Sequence, residues 1–282
     1  MDFRIATMSC AALVLLALSG CEAGGNRLRA RLELKKGNLS YLAGDHKTAL
    51  EHYGRAIVHV PALSRAHLNR GYAEVALFRI SVDPGERRAL ADSAVASFER
   101  YLQLVAAGHR DGGEMPSTDH IEEHMLTLYL ESAQQTKAMA LLQARLERHP
   151  QDMATLQQLG NLAVGQGDLD AALRWHRRRI ELEPESPEGY YALGVMAWQF
   201  SYHGRVSDER RPALLDEGLQ DVQRALELRP DYYEALIYAN LLYREKAKHA
   251  ASEVERAGYE KLYTEFEARA REVREKQSKK AA

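Results

Sequence analysis

The chain has 282 residues, with 38 Lys and Arg against 40 Asp and Glu, giving a formal charge of −2 at neutral pH. A near-neutral, evenly mixed surface excludes a nucleic-acid binder held by a basic face. The two cysteines, Cys10 and Cys21, leave little scope for a disulfide framework or a thiolate metal cage.

The first predicted element is an apolar run from Ile5 to Leu18, preceded by Arg4 and closed by Leu18-Ser19-Gly20-Cys21. It is too short and wrongly flanked for a membrane-spanning helix and reads as a secretory signal. Its end resembles the lipobox of bacterial lipoproteins. That resemblance implies cleavage before Cys21, which would then carry a thioether-linked diacylglycerol and palmitate as the first mature residue. Cys10 would leave with residues 1–20, and the mature charge would stay at −2 because Asp2 and Arg4 leave together. Glu22, rather than an aspartate, follows the cysteine; by analogy with enterobacterial lipoproteins this points to the periplasmic face of the outer membrane. The alternative address is the outer face of the cytoplasmic membrane. Residues 21–29, including Gly24-Gly25-Asn26, are expected as a flexible tether.

Beyond residue 30 a period appears. Gly37, Gly71, Leu126, Gly160, Gly194 and Asn240 are separated by 34, 55, 34, 34 and 46 residues. Ala49, Ala94, Ala138, Ala172 and Gly218 form a second series, and Pro150, Pro184 and Pro230 a third. Comparing the series places insertions of 11, 10 and 12 residues near 79–90, 106–118 and 200–214. A fixed period in this range marks stacked repeats.

One period explains itself. Leu156, Leu159, Leu162 and Ala163 recur at helical spacing with Gly160 among them. An interior glycine costs about 1 kcal/mol relative to alanine, so a close-packed second helix should offset it. Gly167-Asp168 ends the first helix and caps the next. Ala171, Ala172, Trp175, Arg179 and Leu182 run down the second, with the alanine expected against the glycine, and Pro184 stops it. At the insertions, Asp83-Pro84-Gly85-Glu86 predicts a turn or helix start, Gly108 to Pro116 an exposed linker, and Phe200 to Leu214 a loop.

Leu156-x-x-Leu159-Gly160-x-x-Ala163, Ala172-x-x-x-His176 and Pro184 resemble the tetratricopeptide repeat in register. Gly37, Gly44-Asp45, Ala49-x-x-x-Tyr53 and Pro61 supply another copy; Tyr190-x-x-Leu193-Gly194-x-x-Ala197 and Pro230 supply a further one. Weaker copies hold Gly71 with Phe98, and Leu126 with Ala138; the last keeps Tyr233, Asn240 and Tyr243 without a clear second half. The expected fold is an all-α tetratricopeptide-repeat helical solenoid of about six repeats over 30–275, with 276–282 a charged disordered tail.

His120-Ile121-Glu122-Glu123-His124 fits the zinc-hydrolase pattern H-x-x-E-H, with His120 and His124 as ligands and Glu123 as base. Against it, Met125, Leu126 and Tyr129 keep the segment in phase with the repeats, and Asp119 with Glu122 resembles a helix start. Neither a catalytic site nor a cofactor or metal is expected. The resemblance instead implies a peptide groove lined by first helices: Arg31, Asn38 and Tyr41; Arg65, Leu68 and Tyr72; His120 and Glu123; Gln157 and Asn161; Tyr191 and Trp198. Asn38 and Asn69 match positions of the family's carboxylate clamp, but Leu34, His120 and His124 stand where its basic residues belong. The function implied is a membrane-anchored scaffold binding envelope or periplasmic proteins. A pilotin-like factor for type IV pilus secretin assembly is the alternative within that class, and a zinc-dependent hydrolase the alternative outside it.

Overall fold

The computed structural model describes residues 7–111 and 115–281. Among the described residues the chain is helical, with twelve helices that follow one another as six pairs. These are α1 (Thr7–Leu42) and α2 (His46–His59), α3 (Ser64–Ile80) and α4 (Pro84–Ala106), then α5 (Thr118–Glu131) and α6 (Gln135–Arg148). They continue with α7 (Met153–Gln166) and α8 (Leu169–Leu182), α9 (Pro187–Tyr202) and α10 (Arg211–Leu228), and α11 (Tyr233–Lys248) and α12 (Glu253–Ala281). Two compact units divide inside α6, at 138/139.

Local chemistry sets the helix starts. Asp45, Asp83, Ser117, Asp152 and Asp168 each accept a hydrogen bond from a backbone N–H of the following turn. Ser117, not Asp119, therefore caps α5, with Asp119 inside its first turn. Four of the six turns within pairs use a left-handed residue. Gly44, Gly167 and Gly204 supply it with φ of 80°, 78° and 64°; between α5 and α6 an alanine does so, Ala133 at φ 58°.

In the first unit α1 packs on α2 and α3 on α4, with α2 against α3. The contact predicted at each repeat glycine is present, but its partner differs from the expectation. A Cβ on Gly37 would stand 2.5 Å from the Tyr53 ring, and one on Gly71 2.6 Å from Phe98. In the second unit a Cβ on Gly160 would meet His176 at 2.6 Å, and Gly194 faces Val222. The glycine thus receives the ring or branched side chain one turn beyond the alanine, because the alanine leaves room for that longer group to reach across. Tyr53, Phe98 and His176 are all buried.

In the second unit α9, α10 and α11 enclose Phe200, Leu215, Val222, Leu236 and Leu242, and α12 closes it with Phe266 and Ala270. The second half of the last repeat, indistinct in the sequence, is this 29-residue helix. It runs through 276–281, where a disordered tail was expected; Glu272 pairs with Lys276 one turn on at 2.6 Å, and such pairs favour continuing the helix.

The insertions differ in form. The first lengthens α4 to 23 residues, leaving Ser81 to Asp83 as the connection. The second is a true linker, tied back where the Asp111 carboxylate accepts from Ser64 Oγ (2.6 Å) and from the Arg65 backbone N–H (3.1 Å). The third gives an 18-residue α10 behind a short loop that buries Val206. At the other end, 21–29 continue α1 as helix rather than as an irregular tether. Residues 1–6 and the side chains of 7–23, including Cys10 and Cys21, lie outside the described residues.

Candidate protein-binding grooves

The first unit carries a small groove where α1 and α3 lie side by side. Asn38, Tyr41 and Leu42 of α1, Asn69 and Tyr72 of α3, and Tyr53 of α2 line a cavity of about 260 Å³. Asn38 and Tyr72 each follow a repeat glycine, so the close packing beneath the glycine aims the next side chain outward. Asn38 Oδ1 accepts from Tyr53 Oη at 3.0 Å and from Asn69 Nδ2 at 2.8 Å. Burial and the neighbouring Tyr41 push the Tyr53 phenol up to about 12, so it stays a donor throughout the physiological range. The two asparagines are therefore fixed by the core and present amide groups beside aromatic faces.

Rings continue the surface onto α5. Tyr72 stands edge-on to His124 at 5.4 Å, and His124 to His120 at 4.8 Å. The imidazoles approach at 3.3 Å between Nε2 atoms, one donating to the other. Burial, then the adjacent His120 and Arg79, holds His124 below its ordinary pKa, keeping that ring neutral at pH 7. Among the described residues no group of three or more His, Cys, Asp or Glu could hold a metal ion; His120 and His124 are brought together as a pair.

The second unit carries a longer aromatic surface on α9 and α11. Tyr191 meets Tyr232 at 5.1 Å and Tyr238 at 5.5 Å; Tyr238 meets Trp198 at 5.7 Å; Trp198 stacks on Tyr202 at 4.8 Å. A cation sits at each end, Arg229 over Tyr232 at 4.7 Å and Lys248 over Tyr202 at 4.9 Å. Tyr202 is 52% exposed, while Tyr191 and Trp198 are half-buried. Burial, with Tyr238 and Tyr232 alongside, pushes the Tyr191 phenol up to about 12.

The structure brings together Asn38, Tyr41 and Tyr72 in one unit, and Tyr191 and Trp198, through Tyr238, in the other. His120 adjoins Tyr72 by way of His124. Arg31, Glu123, Gln157 and Asn161 are exposed on their first helices, whereas Arg65 is half-buried, its backbone held by Asp111. Leu68 is a correction: at 2% exposure it belongs to the core, because the face one turn before the glycine turns inward on α3. Tyr53, Tyr232, Tyr238 and Tyr202 were missed. The clustering of tyrosines from 232 to 243 was the available signal.

The chain has the all-α helical-hairpin fold of tetratricopeptide repeat proteins, with a glycine packed against a ring in the first, second and fourth pairs and against Val222 in the fifth. No protein-family model matches it, and no curated protein does. Solved structures similar to it include the C-terminal part of a tetratricopeptide repeat-containing protein from Cytophaga hutchinsonii, at 14% identity over 85% of this chain and 78% of that one, with a TM-score of 0.49. A tetratricopeptide protein from Bacteroides fragilis is 12% identical over 78% and 98% of the two chains, with a TM-score of 0.48. YrrB, described as a tetratricopeptide protein with an unusual peptide-binding site, is 20% identical over 72% and 88%, at 0.39.

Proposed function

We propose that this protein is a non-catalytic scaffold that captures extended segments of other proteins, and that lipid on Cys21 fixes it to a membrane of the bacterial envelope. The observation carrying the reading is the aromatic ladder of α9 and α11: five rings in mutual contact, partly exposed, with a cation at each end. Tyrosine, tryptophan and arginine are the residue types that dominate interface energetics, and rings already locked by one another lose little freedom on binding. The smaller groove of the first unit adds two oriented asparagine amides, which suit the alternating donors and acceptors of an extended backbone.

The anchor rests on the sequence Leu18-Ser19-Gly20-Cys21 after its apolar run. Metabolic labelling with a palmitate analogue should mark the wild-type protein and not the Cys21→Ala variant; equal labelling of both contradicts the anchor. For the groove, a photo-crosslinking amino acid introduced at Tyr202 should trap a reproducible partner in native envelopes. Trp198→Ala should reduce that capture at least tenfold, as expected on removing a central aromatic anchor worth about 2 kcal/mol or more. Undiminished capture by a folded Trp198→Ala protein would count against the ladder as the binding surface.

A further inference from the structure

The outward face of α1 is apolar in a way the repeat does not require. Leu28, Leu32, Leu39 and Leu42 are 62%, 51%, 60% and 82% exposed. With Lys35 they follow gaps of four, three, four and three residues, so all five lie within about 40° of one line along the helix. The opposite side of α1, with Ala30, Leu34, Gly37 and Tyr41, is the one turned to the core of the unit. A repeat face left uncovered is ordinarily polar; this one carries leucines.

Charge selects the occupant. Arg29 and Lys36 flank the leucine line on one side, Arg27 and Arg31 on the other, and all four are exposed, as is Lys35 within it. Between residues 23 and 44 Glu33 is the sole acidic residue. Its carboxylate accepts from His52 Nδ1 at 2.7 Å, from Arg55 Nε at 2.8 Å and from Lys36 Nζ at 2.8 Å, so it offsets Lys36 and leaves Arg27, Arg29, Arg31 and Lys35 to the outer face. A second copy meeting this face would set basic flanks against basic flanks. A leucine stripe bordered on both sides by Lys and Arg is instead the pattern of a helix lying in a membrane interface, with stems extended and charges among headgroups.

We infer that the outer face of α1 rests on an anionic phospholipid bilayer. The leucines enter the headgroup boundary, and Arg27, Arg29, Arg31 and Lys35 meet phosphate. The inference extends the anchoring reading, because Cys21 lies on the same helix seven residues before Leu28, but it stands on the described face alone. Lipid on Cys21 would hold the chain at the surface, and the α1 face would set which side of the first unit faces the bilayer.

The test places a dansyl-bearing amino acid at Leu39 of the full chain, with the same probe at exposed Ala96 of α4 as control. The protein is combined with vesicles of phosphatidylcholine alone or with 30% phosphatidylglycerol. Emission at Leu39 should rise at least twofold and shift to the blue with the anionic vesicles, and emission at Ala96 should not change. Replacing Arg29, Arg31 and Lys35 together by Glu should raise the lipid concentration needed by at least about 100-fold, with circular dichroism unchanged, since each basic residue near the surface is worth about fivefold. Emission at Leu39 that is the same in anionic vesicles as in buffer overturns the inference, whether or not the protein floats with lipid. A protein that does not float with neutral vesicles overturns the anchor alone. A blue-shifted Leu39 signal without vesicles, at twice the expected sedimentation mass, assigns the face to a second copy and likewise overturns it.

Discussion

Gly160 shows what a single residue controls. It lies in the middle of α7, where alanine would be the better helix former by about 1 kcal/mol, yet a Cβ there would stand 2.6 Å from His176 Nε2. The ring is buried and cannot swing into solvent, so Gly160→Ala should destabilise the protein by about 1–3 kcal/mol in chemical denaturation despite its better propensity. Ala133 presents the reverse case. It is exposed and holds φ of 58° in a turn where sister pairs use glycine. The left-handed conformation costs an L-residue roughly 1–2 kcal/mol, partly offset by the flexibility glycine adds to the unfolded chain. Ala133→Gly should therefore raise stability by about 0.5–1 kcal/mol; a lower denaturation midpoint would contradict the turn geometry.

Two titrations of opposite sign belong to helices of the second unit. Burial, with Arg179 nearby, pushes His176 of α8 down to about 4 from its ordinary 6.5. The unfolded chain therefore binds the proton first, and the stability the neutral ring provides is present above pH 6.5 and lost as pH falls toward 4. Asp221 of α10 is pushed by burial, and by Glu217, up to about 7, with Arg177 opposing. Its folded form binds the proton first, so acidification from pH 7 toward 4 stabilises through this group. Across that window the two should largely cancel in the wild type. His176→Phe, which installs the ring type Phe98 already places against Gly71, should become more stable as pH falls from 7 to 4. Asp221→Asn should become less so. Melting temperatures of the three proteins across that range provide the check, and parallel curves would refute the assignment.

A buried carboxylate ties α3 to α4. Glu74, 2% exposed, accepts from Ser97 Oγ at 2.7 Å, from Arg70 Nε at 3.1 Å and from Ser93 Oγ at 2.5 Å. Removing it would strand two hydroxyls inside the hairpin, so Glu74→Ala should cost about 3 kcal/mol by urea unfolding.

At the scale of the molecule, the chain is a set of helix pairs whose first helices carry exposed aromatic and amide groups, beginning with a helix whose outer face is leucine and arginine. Loss of partner capture in Trp198→Ala, without loss of folding, is the outcome expected if the ladder serves recognition rather than packing. The repeat period was legible because four pairs meet the same steric demand: a glycine in one helix, and a small residue with a ring or a branched side chain one turn on in the next. The irregular pairs were harder. Leu126 and Asn240 replace the glycine, and α12 binds its pair through Phe266 and the Asn240 amide, which donates to the Tyr263 carbonyl at 2.6 Å, rather than by the usual pattern. The grooves were half legible. Tyr41, Tyr72, Tyr191 and Trp198 follow from their register relative to a glycine, but Tyr238 reaches the surface of Tyr191 and Trp198 from the next pair and Tyr202 from the C-terminal end of α9.

Period and capping residues are properties of neighbours along the chain, so the amino-acid order alone determined the helix-pair architecture. Which ring fills each glycine's space, that Leu68 turns inward, and that the leucines of α1 stay uncovered are decided between helices distant in sequence. Contact there depends on how one helix is rotated against another, and that rotation exists only in the folded structure.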